Sequence, residues 1–152
     1  MKQRDTVTMP AEDVAKLLES GHKLQLATIN PDGTPHLVSM FYGMRDGRIA
    51  FWTYRASQKA RNLSRDPRLT CLVEDGEEYF ELRGAQVSGR AQPILDPVGV
   101  AGVGRLVAEA SLRVPADVVD AYVAQAALKR IAYVVEPVRV VSWDHRKLAA
   151  SM

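Results

Sequence analysis

Arg48 to Arg68 reads RIAFWTYRASQKARNLSRDPR and changes character halfway along. Ile49 to Tyr54 is apolar, β-branched and aromatic, the chemistry of a strand. At Ala56-Ser57 the period switches to that of a short helix, which ends before Asp66-Pro67. Arg55, Lys59 and Arg61 crowd the junction. Free N–H groups at a helix start favour negative charge, so cations gathered there mark a candidate anion site.

The flanking sequence supplies more strands. Lys23–Ile29 alternates, Asn30–Thr34 (NPDGT) is a turn, and His36–Tyr42 continues as a second strand. Met44–Gly47 predicts a hairpin that pairs this strand with Arg48–Tyr54. Leu69–Glu74 and a long Tyr79–Gln92 follow, with Gly84 and Gly89 as bends or bulges. An amphipathic helix is expected over 10–20, with Thr8 as its cap and Val14, Leu17 and Leu18 on its buried face. Residues 98–112 and 116–129 read as helices split by Pro115 and capped by Asp96 and Asp117. Arg130–Val135 and Val138–Trp143 return to strand chemistry, interrupted at Pro137. Six or so strands with connections too short for βαβ crossovers predict a mainly β fold, a small antiparallel barrel flanked by helices.

At 152 residues, 47% apolar and 25% charged, the chain is expected to be one soluble domain. A net charge of +2 is too weak to imply a nucleic-acid or membrane partner. A single cysteine, Cys71, fits a cytoplasmic protein, and three scattered histidines (His22, His36, His145) predict no metal site. No apolar run approaches the ~20 residues that span a bilayer.

If helical geometry starts at Arg55, Arg55 and Lys59 share a face and converge on one anion. Ser57 either caps the helix or bonds a phosphate, and Leu63 anchors the helix to the barrel. The competing reading is a solvated basic face. Alternation places Phe51 and Thr53 on one side of their strand, Trp52 and Tyr54 on the other. One side fills the barrel; the other is free to offer a flat surface beside the cations. A planar ring with a phosphate-bearing tail suits both features. His36 and Tyr54 are candidate proton donors. No Ser/His/Asp set and no GxGxxG opening a βα unit is present, which argues against hydrolase and Rossmann chemistry.

Three blocks, LATINPDGTPHLVSMFY, TYRASQKARNLSRDPR and VVEPVRVVSWDHRKL, resemble the pyridoxamine 5'-phosphate oxidase-like split β-barrel family, and within it the actinobacterial F420-dependent (deazaflavin) oxidoreductases. The S-x-K-x-R-N-L-x-x-D-P-R pattern falls on Ser57, Lys59, Arg61, Asn62, Leu63, Asp66, Pro67 and Arg68. The resemblance implies a six- to seven-stranded antiparallel split β-barrel of the FMN-binding type over residues 1–152, with a helical insert at about 96–129. It implies a homodimer with a cofactor in each interface groove. The phosphate falls to Arg55 and Lys59 with Ser57 adjacent, and Arg61 or Lys23 is spare for further carboxylates. The ring lies along Val38, Ser39, Met40 and Phe41 and along Trp52, Thr53 and Tyr54, and the partner closes the groove near Tyr79–Arg83 and Trp143.

The activity so implied is hydride transfer between F420 and an electron-poor organic acceptor such as an enone or quinone. An FMN-dependent oxidase or reductase and a non-catalytic cofactor-binding protein are the alternatives. No C-terminal pyridoxal phosphate motif is evident, so the vitamin reaction is not expected.

Overall fold

A computed structural model describes residues 2–112 and 115–152. Seven antiparallel strands form one sheet in the order β2-β1-β5-β6-β7-β4-β3. They are β1 (Lys23–Ile29), β2 (Pro35–Phe41), β3 (Gly43–Arg45), β4 (Arg48–Tyr54), β5 (Arg68–Asp75), β6 (Arg83–Ile94) and β7 (Arg130–Asp144). The helices are α1 (Gln3–Val7), α2 (Ala11–Ser20), α3 (Gln58–Arg65), α4 (Pro97–Ser111), α5 (Ala116–Ala126) and α6 (Arg146–Ala150).

The expected pairing of the second strand with Arg48–Tyr54 is not formed. The hairpin itself exists: Asp46 and Gly47 take positive φ, as a two-residue primed turn requires, and Arg45 opposes Arg48. Its first arm, however, is only the short β3. β2 pairs along its whole length with β1, and β4 pairs with β7. Between β2 and β3 stands only Tyr42, which is fully buried and donates its hydroxyl hydrogen to the Leu18 carbonyl at 2.5 Å. One residue cannot bridge a flat seven-stranded sheet, so the sheet curls until its two edges meet at Tyr42. The result is a split barrel.

Two cores follow from strand parity. Inside the barrel, Ile49 and Phe51 pack with Leu24, Leu26, Cys71, Val73 and Tyr133 under the lid formed by α2. The Phe51 and Tyr133 rings, cross-strand neighbours, lie 5.3 Å apart. On the outer face Ala50, Trp52 and Ala132 pack against Val100, Val103 and Val107 of α4 and Val119 and Val123 of α5. The face of β4 expected to be open is therefore covered by the insert. Gly104 permits this contact, because a β-carbon there would stand 2.3 Å from the Trp52 ring.

Other boundaries shift for local reasons. Thr8 donates to the Arg4 carbonyl at the end of a first helix the sequence does not announce, and α2 begins at Ala11, after Pro10, without a side-chain cap. Asp96 caps α4 as expected, through the Gly99 N–H, whereas Asp117 lies inside α5 and Pro115 precedes it. Pro115 separates α4 from α5, as expected, and residues 113 and 114 lie outside the described residues. Tyr79–Glu81 forms a 3₁₀ turn closed by a Glu78–Glu81 capping box, so β6 starts later, at Arg83. β7 runs as one strand through Pro137, but Val138 is an extra residue without a partner between the pairs Gly89–Pro137 and Ser88–Arg139, the bulge expected at Pro137 and Gly89. Gly84 is not a bend but an ordinary ladder residue opposite Trp143, whose ring lies flat against it.

Candidate cofactor groove

Where the barrel is split, each edge strand carries unpaired backbone groups. β2 pairs only with β1, and β3 covers β4 only from Arg48 to Ala50, leaving Phe51–Tyr54 free on that side. A cavity of about 320 Å³ lies here. Met40 and Phe41 of β2 and Trp52, Thr53 and Tyr54 of β4 form one part of its wall. Lys59 of α3, Arg130 of β7 and residues of the insert, including Val107, Leu112 and Tyr122, complete it.

The junction that opens the sequence builds one end of the cavity. After Tyr54 the chain turns, with the Arg55 N–H donating to the Lys129 carbonyl and the Ser57 N–H to the Tyr54 carbonyl. Ser57 then caps α3, its Oγ accepting from the Ala60 N–H at 3.2 Å and from the Thr53 hydroxyl at 3.2 Å. Buried Asn62 ties α3 to β1, donating to Thr28 Oγ1 and Asn30 Oδ1 and accepting from Gln58 Nε2. Lys59 is thereby held at the cavity wall.

The helix starts at Gln58, so Arg55 is not on its face. Its guanidinium instead donates to the Leu128 carbonyl at 2.9 Å, outside the cavity. Arg61 is exposed and donates to Gln58 Oε1. Ser57 acts as the cap and does not line the cavity. Of the cations marked from sequence, the structure brings only Lys59 to the rings. Val38 turns inward against the barrel core, and Ser39 accepts a hydrogen bond from Gln25 on the outer face. His36 sits four residues before Met40, roughly 13 Å along the strand, with its Nδ1 buried and unpartnered. Tyr79 packs on His145 near α1, and Trp143 lies thirteen residues beyond Arg130 on β7, roughly 40 Å of strand away. Neither reaches this groove in its own chain.

Arg130 is the residue that sequence reasoning missed. It reads as a strand start, and only its pairing with Tyr54 brings it to the site. Its guanidinium lies 4.7 Å from the Trp52 ring centroid and 4.3 Å from that of Tyr54. Such contacts contribute ~0.5–2 kcal/mol. Its Nε is buried without a partner, an omission that costs ~1–3 kcal/mol. Among the described residues no Asp or Glu lines the cavity. Burial, and then the charge of Arg130, hold the Lys59 pKa below its ordinary value. Two neighbouring cations with no acid between them make this a candidate anion site.

Larger cavities lie elsewhere. One of about 520 Å³ sits between α2 and β7, rimmed by Arg4, Arg48 and Arg139. Another of about 440 Å³ lies on the outer sheet face near Ala27, Thr70 and Val138. Neither combines cations with aromatic faces. Among the described residues no three His, Cys, Asp or Glu side chains cluster as metal ligands, and no helix is long and apolar enough to cross a membrane.

The fold is that of a split barrel, with a groove at the split that sets two cations beside aromatic rings. Residues 11–144 match the pyridoxamine 5'-phosphate oxidase family model, and the chain belongs to that family. It is similar to the crystal structure of the conserved hypothetical protein Rv2991 from Mycobacterium tuberculosis, at 40% identity over 98% of this chain and 93% of that one, with a TM-score of 0.90. It is also similar to an F420 reductase, at 26% identity over 87% of this chain and 98% of that one, TM-score 0.65. A FAD-binding protein from Mesorhizobium loti shares the fold at 17% identity over 89% of this chain and 94% of that one, TM-score 0.68. None of the curated proteins matches the chain.

Proposed function

We propose that this protein is an F420-dependent oxidoreductase that moves a hydride between the deazaflavin and an electron-poor organic acceptor. The observation that carries the reading is the groove itself: Lys59 and Arg130, uncompensated by any acid, beside the Trp52 and Tyr54 rings at the unpaired edges of the barrel. The likeness to an F420 reductase across most of both chains supports it.

The residues present fit such a group. The orphaned Nε of Arg130 and the depressed Lys59 ask for an anion, and the free edges of β2 and β4 offer backbone donors and acceptors to a ring. Lys59 would hold the phosphate, and Met40, Phe41 and Thr53 would line the ring. When bound, the cofactor supplies the hydride chemistry. The chain's part is to orient the ring, exclude water and hold a proton near the acceptor. Tyr54 stands in the wall and is the better placed donor; His36 is a strand's length away.

The reading includes a homodimer. The chain exposes 9129 Å². A compact monomer of its mass exposes ~7,600 Å² by the usual scaling. The excess is compatible with an interface of standard size, ~800 Å² per partner. On the outer sheet face Leu37 and Val138 are 66% and 74% exposed, beside the row Ala27, Thr70, Ser88. A cavity of 320 Å³ is at the small end for a whole cofactor, so a second chain would complete the groove, with Tyr79 and Trp143 of that copy as the candidates. A cytoplasmic location goes with this reading.

An FMN-dependent enzyme is the second reading, because FMN offers the same kind of flat ring and a phosphate that Lys59 would hold. Side-by-side titration with F420 and FMN, followed by turnover with enones and quinones, tests both. Micromolar F420 binding with turnover is expected; failure of both cofactors to bind would overturn the function.

A further inference from the structure

The two cations of the groove are presented differently. Lys59 reaches it from α3 as a single flexible ammonium. Arg130 is fixed on the outer face of β7, between two aromatic rings and opposite the insert. Its planar fork suits a carboxylate, which it can grip through two N–H groups at once. The same cavity is lined by Tyr122 of α5, whose hydroxyl makes no hydrogen bond among the described residues. If Lys59 holds a phosphodiester, that group's single charge is matched, and Arg130 is left over.

We propose that Arg130 and Tyr122 form a second anion subsite, beside that of Lys59, which takes a carboxylate. This rests on the assignment of phosphate to Lys59. The carboxylate belongs either to an acidic tail of the cofactor or to an acidic acceptor molecule. The insert would then do more than cover β4: through Tyr122 it would set which acids enter. Met40, Phe41 and Trp52 give the cavity an apolar stretch, so the subsite selects a carboxylate on a ligand whose body is flat and hydrophobic.

The test uses the full chain carrying Trp143→Phe, so that Trp52 is the sole tryptophan, and reads its emission. Titration with γ-glutamylglutamate should change the emission saturably. Arg130→Met should abolish that response, Arg130→Lys should weaken it, and Lys59→Ala should leave it. Inorganic phosphate should show the reverse dependence. No response to the dipeptide, or equal loss in Lys59→Ala and Arg130→Met, would overturn the separate subsite. Where the dipeptide binds, saturating F420 distinguishes the sources: blocked binding assigns the subsite to the cofactor's tail, and retained binding to the acceptor. In the first case Arg130→Met should also lower F420 affinity at least tenfold while leaving FMN affinity unchanged. If F420 fails to bind at all, the proposed function falls, and the dipeptide titration still decides the subsite.

Discussion

The Arg130 guanidinium stacks 4.7 Å from the Trp52 ring centroid, joining two residues nearly eighty positions apart in the chain. The contact exists because β4 pairs with β7, and it turns a tryptophan otherwise bound into a core into one wall of a charged groove. Lys59, brought to the same cavity by α3, feels that charge.

Lys59→Ala should weaken cofactor binding at least tenfold, since a charged hydrogen bond contributes ~1.5–3 kcal/mol. Arg55→Ala should change it less than about threefold, its guanidinium being spent on the Leu128 carbonyl. Fluorescence titration of both variants decides whether the cavity or the sequence motif marks the phosphate residues.

Lys59 also makes binding pH-dependent. Its folded pKa is depressed, first by burial and then by Arg130, and an anion would raise it again. Affinity should therefore be highest below the depressed pKa and fall as pH rises from there towards the pKa of the complex. Without ligand the sign reverses: stability should rise as pH climbs from the folded towards the unfolded lysine value. Lys59→Met should flatten both profiles; an unchanged binding profile would remove Lys59 from the site.

Gly104→Ala should disturb the groove from behind. The added methyl would stand 2.3 Å from Trp52 Cζ3, and overpacking of this kind costs ~1–3 kcal/mol. A lowered melting temperature with a shifted Trp52 emission is expected. A shift in emission alone would show that α4 yields without loss of stability.

Asn62→Ala should unfold the protein at lower temperature. It leaves the buried Thr28 hydroxyl and the Gln58 amide without their partner, each loss costing ~1–3 kcal/mol. At ~2–4 °C per kcal/mol for a domain of this size, the melting point should drop by several degrees.

Val138→Glu and Leu37→Glu should favour the monomer, because each puts a charge on the exposed sheet face. Sedimentation of the wild type as a dimer and of either variant as a monomer would support the paired barrel. A monomeric wild type would refute it.

Much was legible in the residues alone. The alternation of Ile49 to Tyr54 sorted its side chains onto two faces, as β geometry forces, and both faces proved buried as far as Thr53. Ser57 before a short basic helix, and Asp96 before an alanine- and valine-rich one, announced caps that the structure forms. These are local effects, carried by neighbours in sequence. Strand partners are not local: the Met44–Gly47 turn looks the same whether its first arm is long or short, and burial of Tyr42 against Leu18 decides that it is short. The same holds for the anion site. Charge beside aromatics was visible at Arg48–Arg68, but which cation faces the rings depends on where α3 starts and on what β7 brings alongside. The chain determined that a charged, ring-lined junction exists. The tertiary structure decided that Lys59 and Arg130 are its two arms, because only strand pairing could carry Arg130 to Tyr54 and Trp52.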